Sequence, residues 1–296
     1  MIKIGDYPVF DMHVHLRNRI AEHTKLLKSC GIDIVVYMAN PKPPFGPLDS
    51  REKIIASLKR KRHCLAIPVS AITKGLAGKE LVEINEIRDL VPAFSDDGQL
   101  LRDMGLLRAA FEQKIPIWAH CSPSFEEGLE DPWLETKYAE QHITVCADTG
   151  GILHIQHVSQ RTTVELVRAT KKQGVNVTAE TGPQYCFFPR GGLETKVNPP
   201  LNTKKDREAI KEGLADGTID IIISDYAPEE ERKTGIAIPE AFLILCYGLI
   251  LEGVLTETQL KDKLFTNPKR IIESGGYKLN LEKEEKDGKV VPSDQK

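Results

Sequence analysis

His13 and His15 stand two residues apart in an apolar run, Val9 to Arg17, close to the amino terminus. On a strand, residues two apart share a face, so both imidazoles project to one side. Two neutral imidazoles at a strand end can begin a metal site. An isolated pair is as often two hydrogen-bonded histidines, so the reading depends on further ligands at later strand ends. Four more occur: Asp97, His120, His157 and Asp225 each lie at or just after the end of an apolar run. Singly, an aspartate after a strand is commonly a helix cap. As a set, four imidazoles and two carboxylates suit zinc or a similar divalent ion, and suffice for one or two ions. Arg17 leaves the first strand on the ligand side, and a guanidinium can grip a carboxylate through two hydrogen bonds.

Such a set needs a scaffold that gathers strand ends. Apolar runs at 9–16, 32–38, 64–72, 91–95, 115–119, 151–156, 175–180 and 218–224 alternate with helical segments. The helices stop at Gly31 and Gly174, and Asp49 or Ser50 and Thr256 are candidate caps. Strands this continuously apolar are buried on both faces, as in a parallel sheet. Eight such units in roughly 275 residues predict an α/β fold, a (β/α)8 TIM barrel, whose sites form at the carboxyl ends of its strands. An open doubly wound sheet is the alternative, weakened because no Gly-x-Gly-x-x-Gly follows the first strand. The expected organisation is one barrel domain over 1–275 and a charged tail over 276–296. The stretch 123–132 reads as irregular and acidic, and 181–203 as a long loop.

Composition narrows the function. The chain has 296 residues, 41% hydrophobic and 28% charged, with a net charge of -3, which argues against nucleic-acid binding. No apolar run reaches the roughly 18 residues of a membrane span, and no signal peptide opens the chain. Six scattered cysteines without a Cys-x-x-Cys pair point to reduced thiols and a cytoplasmic protein. Cys30, Cys64 and Cys246 read as core packing, and Cys121 should point away from the His120 side.

Several stretches carry a resemblance: Asp11 to Arg17, Met38 to Asn40, Phe94 to Gly98, Ala119 to Cys121, His157 to Ser159, Val177 to Glu180, Lys196 to Leu201, Asp216 to Asp220 and Ser224 to Pro228. In this order they resemble the amidohydrolase superfamily and, within it, the dihydroorotases. The resemblance implies a zinc site in which His13, His15 and Asp225 hold one ion and His120 and His157 a second. Many members bridge the ions with a carboxylated lysine. This chain is similar to the bacterial branch that uses an aspartate, which selects Asp97 over Asp96. Asp225 would be the catalytic proton carrier, and Arg17, Asn40 and Asn198 the substrate contacts. The implied reaction interconverts N-carbamoyl-L-aspartate and dihydroorotate in pyrimidine biosynthesis, on a small substrate carrying a carboxylate.

Three departures stand against the family pattern. Tyr226 and Glu229 replace the histidines of the usual Asp-His-Ala-Pro-His, and Glu229 would repel an anion. Gln184 and Tyr185 replace the pair that usually follows Pro183. The small β-sandwich of relatives has no counterpart, so the form expected is compact, with a homo-oligomer or an aspartate carbamoyltransferase partner covering the exposed barrel surface. Two other readings follow: a hydantoinase- or allantoinase-like cyclic amidase, and a weak or inactive homologue acting as a scaffold for such a partner.

Overall fold

The computed structural model describes residues 5–41, 46–123, 133–193, 196–228 and 238–279. Glu229, the stretch 124–132 and the tail from 280 lie outside the described residues.

In chain order the elements are β1 (Phe10–Val14), α1 (Ile20–Ser29), β2 (Ile34–Tyr37), α2 (Arg51–Leu58), β3 (Leu65–Pro68), α3 (Ile84–Ile87), α4 (Met104–Glu112), β4 (Pro116–Ala119), α5 (Trp133–Thr149), β5 (Ile152–Ile155), α6 (Arg161–Lys172), β6 (Val177–Thr181), α7 (Gln184–Phe187), α8 (Lys204–Asp216), β7 (Ile221–Ile222), α9 (Pro239–Leu251), α10 (Glu257–Lys261) and α11 (Asn267–Glu273). Ser50 caps α2 through the Lys53 amide, and Thr256 forms a capping box with Gln259 on α10. Gly31 and Gly174 take φ of 91° and 78°, the left-handed conformation that ends α1 and α6.

All strand pairings are parallel, in the orders β1-β2-β3 and β4-β5-β6-β7. Phe94 joins the two runs by pairing with Ser70 and Ile117, and Val14 pairs with Tyr226 to return the ring to β1. This is the α/β barrel arrangement expected from the sequence. The fourth and eighth strands are shorter than their apolar runs suggested. Pro92 cannot donate to a ladder, and the fourth strand is limited to the bridges at Phe94; the last strand is Ile221–Ile222. The 181–203 loop contains the short helix α7, and α10 passes through a π-helical turn at Asp262–Thr266 into α11.

The core has two shells. Phe10, Met12, Ile34, Val36, Ile67 and Trp118 belong to an inner cluster, closed at one end by Ile271 and Ile272 of α11. An outer cluster lies between strands and helices. Side-chain alternation then assigns the site. Asn40 continues the parity of Val36 and Met38, His120 that of Trp118, and Asp225 that of Ile221 and Ile223, so all three continue the inward face. His13 and His157 do not follow from alternation. The β1–β2 register slips between Asp11 and Val14, a bulge that turns His13 and His15 inward after inward-facing Phe10 and Met12. His157 is turned by its backbone, with φ of 34°.

Of the cysteines, Cys64 and Cys246 are buried as expected, and Cys121 directs Sγ to the Ala119 carbonyl at 3.6 Å. Cys30 departs from expectation: at the carboxyl cap of α1 it is half-buried, because the helix end rises out of the core.

One buried group sets an acid limit. His142 on α5 donates from Nδ1 to the Tyr138 carbonyl at 2.8 Å, and burial pushes its pKa down to about 4. The unfolded chain takes up this proton near pH 6.5, whereas the folded chain takes it up only near 4. Stability is therefore expected to fall as pH drops through that window, by about 3 kcal/mol once both forms are protonated. In urea titrations across this range, His142→Gln should lose this part of the slope.

Candidate metal centre

The six sequence-selected groups converge. His13 Nε2 lies 3.3 Å from Asp97 Oδ1 and 3.7 Å from Asp225 Oδ1. His15 Nε2 lies 3.2 Å from Asp225 Oδ1 and 3.5 Å from Asp97 Oδ2. On the other side, His120 Nδ1 and His157 Nε2 face each other at 2.8 Å, and stand 3.3 Å and 3.5 Å from Asp97 Oδ1. Asp97 is thus central, with imidazoles on both sides. Two triads, His13–Asp97–His157 and His13–His15–Asp225, place their ligand atoms within 4.8 Å of one another. Asp96 is turned away: it accepts from the amides of Ile72 and Thr73 and from the Thr73 hydroxyl.

Two observations show that the donors fit a cation. His13 Nε2 and Asp97 Oδ1 are buried yet lack hydrogen-bond partners, a costly arrangement for polar atoms with no ligand to satisfy them. The electrostatics agree. Burial alone would lower the His13 pKa, but Asp97 and Glu180 hold it well above the ordinary histidine range. Burial would raise Asp97, but His13, His120 and His157 hold it well below the carboxylate range. The surrounding carboxylates therefore favour positive charge beside His13 Nε2, which a divalent ion would supply.

Backbone strain concentrates here. Asp225 and Arg17 have φ of 53° and 48°, and with His157 they place three site residues in the left-handed region. Non-glycine residues hold that conformation at a cost of about 1–3 kcal/mol each, typically where function requires a direction. The chain around Asp225 is fixed on both sides. The His15 amide donates to the Tyr226 carbonyl at 2.8 Å, and Asp11 accepts from the amide and hydroxyl of Ser224 at 3.1 and 2.5 Å.

The other predicted residues border the set. Arg17 Nη1 donates to Asn40 Oδ1 at 2.8 Å. The same oxygen accepts from His15 Nδ1 at 2.9 Å, leaving Nε2 for the carboxylates, and Asn40 Nδ2 donates to the Asp97 carbonyl at 3.1 Å. Asn40 thereby ties Arg17, His15 and Asp97 together. Asn198 Nδ2 lies 3.3 Å from His120 Nε2, and Ser122 donates to Asn198 Oδ1 at 3.0 Å.

The curated relatives of this chain now decide the family. No family model matches the chain. It is 34% identical over 306 residues to the dihydroorotase of Syntrophobacter fumaroxidans, spanning 89% of this chain and 70% of that one. It is also 34% identical to the dihydroorotase of Geobacter metallireducens, over 89% and 72% of the two chains. The chain belongs to the dihydroorotase family. Among solved structures, the L-hydantoinase of Arthrobacter aurescens superposes with a TM-score of 0.77 at 19% identity, over 89% of this chain and 70% of that one. The inactive dihydroorotase-like domain of a Chaetomium thermophilum multifunctional protein superposes with 0.66 at 16% identity, over 92% and 80%. These last two establish the shared barrel fold. Among the described residues no helix is long and apolar enough to cross a membrane.

Two departures from the dihydroorotase pattern have structural roles. Tyr226 donates its hydroxyl proton to, or accepts one from, His23 Nδ1 at 2.8 Å, while its backbone closes the ring to β1. The Tyr185 hydroxyl donates to the Pro199 carbonyl at 2.8 Å, fixing the loop that carries Asn198.

The sequence assigned no role to Glu180. Its carboxylate is buried on β6, where Oε1 accepts from His13 Nδ1 at 2.6 Å and Oε2 from His154 Nε2 at 3.0 Å. Burial would raise its pKa, but His13 and His154 draw it down to about 2. A carboxylate behind a ligand histidine fixes the ring and raises its basicity. If His13 holds a divalent metal ion, Glu180→Gln is expected to weaken its binding by about 10–100-fold, measured by competition with a chromogenic chelator. Unchanged affinity would show that His13 does not depend on this contact. The one available signal was an acidic residue inside an apolar strand, at the end of the stretch Val177 to Glu180.

Proposed function

We propose that the protein is a zinc-dependent dihydroorotase, interconverting N-carbamoyl-L-aspartate and dihydroorotate in the cytoplasm. One observation carries the reading: two buried atoms that lack a hydrogen-bond partner, His13 Nε2 and Asp97 Oδ1, face each other at 3.3 Å within a cluster of four imidazoles and two carboxylates. His13, His15 and Asp225 would hold one ion, His120 and His157 a second, and Asp97 would bridge. When bound, zinc lowers the pKa of water toward about 7 and polarises a carbonyl oxygen.

The residues of this chain supply positioning and proton transfer. Asp225 is 7% exposed and held by a strained backbone among the ligands. Its carboxylate accepts the proton released by the attacking water and returns it to the departing ring nitrogen. Arg17, at the border of the set, pairs with the substrate carboxylate, and Asn40 holds the guanidinium in place. Asn198, resting on His120, contacts the ring from the other side. All six ligand-type residues converge, which favours catalysis over the scaffold reading.

The carboxylate role of Arg17 has a direct test. Arg17→Ala should lower kcat/KM for dihydroorotate by about 10–100-fold, the value of a charge-assisted pair. A neutral cyclic amide such as hydantoin should be little affected. Equal losses on both would remove the carboxylate from the reading and favour a hydantoinase-like substrate.

A further inference from the structure

Outside the ligand set, α5 and the turn that carries His157 meet at a buried carboxylate. Glu135, in the first turn of α5, is 2% exposed. Its Oε1 accepts from the Ser159 amide at 3.1 Å and its Oε2 from the Ser159 hydroxyl at 2.5 Å. Burial raises the Glu135 pKa, and hydrogen bonds from Ser159, Thr163 and the Gln160 amide oppose that rise. Ser159 Oγ is engaged on its other side as well. Asn202 Nδ2 donates to it at 2.9 Å and to the Ser159 carbonyl at 3.2 Å. Amide, hydroxyl and carboxylate thus form one chain in which each donor points toward Glu135. A carboxylate only accepts, so it sets the direction of that chain.

On the plainer account Glu135 only caps α6 from outside, because Gln160 at the N-cap makes no side-chain cap of its own. Asp206 already serves that helix end, accepting from the Arg161 amide at 3.0 Å. A cap also leaves the Asn202 contact unexplained. Both ends of the chain adjoin the site. Ser159 stands two residues after His157, whose φ of 34° persists only where its surroundings impose it. The Val158 amide between them donates to the Glu180 carbonyl at 2.8 Å. Asn202 stands four residues after Asn198, which meets His120 and Ser122. One hydroxyl therefore joins the ligand turn to the loop of Asn198, across 43 positions of the chain.

We infer that Glu135 is a positioning residue: through the Ser159 hydroxyl it holds the turn that aims His157 and the loop that presents Asn198 to substrate. The substrate half of this inference rests on the function proposed above; the metal half rests only on His157 being a ligand.

The test follows Glu135→Ala, Asn202→Ala and the double variant by zinc affinity, by KM for dihydroorotate at saturating zinc, and by urea unfolding. Asn202→Ala should raise KM by about tenfold and leave zinc affinity within about twofold. Glu135→Ala should raise KM to the same extent and also weaken zinc by about 10–100-fold. The double variant should keep the KM of Glu135→Ala alone, because both residues reach the loop through one hydroxyl. Thr256→Ala, which removes the α10 cap, should lower the urea midpoint with KM and zinc affinity unchanged. Where alanine at position 135 fails to fold, Glu135→Gln keeps the volume and one acceptor, and should give the same pattern at smaller size. A Glu135 variant that loses only urea stability, as the Thr256 control does, overturns the inference. So do KM effects that multiply in the double variant. Wild type that binds zinc without turning over dihydroorotate removes the proposed function instead, and unchanged zinc affinity in Glu135→Ala would then overturn the inference as well.

Discussion

Asp225→Asn is expected to reduce kcat for dihydroorotate by about 10²–10⁴-fold, the contribution of a positioned acid–base group, with most of the metal retained. The separation follows from the geometry. Asp225 Oδ1 stands 3.2 Å from His15 Nε2 and 3.7 Å from His13 Nε2, where an amide oxygen could still act as a ligand. An amide cannot take up and return a proton at this pH. The backbone should tolerate the change, because φ at 225 is 53° and asparagine, like aspartate, is among the residues that adopt this region most readily. Metal content and steady-state kinetics on one preparation separate the roles. A kcat within a few-fold of wild type would remove proton transfer from Asp225. Joint loss of metal and activity would make it a ligand first.

Asp97→Ala should remove more. Asp97 Oδ1 stands 3.3 Å from both His13 Nε2 and His120 Nδ1, and 3.5 Å from His157 Nε2, so a single carboxylate serves both sides of the site. Without it four imidazoles face one another with no central anion, and bound metal is expected to fall below one ion per chain. The metal chemistry is worth several kcal/mol, so turnover should drop by more than about 10³-fold. The metal-free protein should also weaken, by about 3–5 kcal/mol, because His13 loses a buried charge partner. Chelator-treated samples compared by urea unfolding isolate that loss. Asp96→Ala is the control. It removes the acceptor for Ile72 and Thr73, and should lower stability without abolishing metal binding.

How much of this was legible in the sequence depends on the residue. Continuous apolar strands and their spacing marked the barrel, and strand-end polarity marked all six ligand-type groups. Alternation was sufficient for His120, Asp225 and Asn40, which continue the inward parity of their strands. It was not sufficient for His13 and His157. A one-residue slip in β1 and a single left-handed φ turn those rings inward, and neither leaves a periodic signature. Glu180 was missed because one acid at a strand end looks the same whether it faces solvent, caps a helix or supports a ligand histidine. Only the barrel brings it to His13, 167 positions away in the chain. Cys30 was read as core because it lies between the apolar Leu26–Leu27 and the run from Ile32, although its place at a helix end leaves it half-buried.

The most direct test is dihydroorotate ring opening by protein whose zinc content is measured in the same sample. The expected result is about one to two ions per chain and turnover with kcat/KM in the enzymatic range, roughly 10⁴–10⁸ M⁻¹s⁻¹, abolished by chelation and restored by zinc. Zinc bound at that stoichiometry with dihydroorotate left intact would contradict the proposed function.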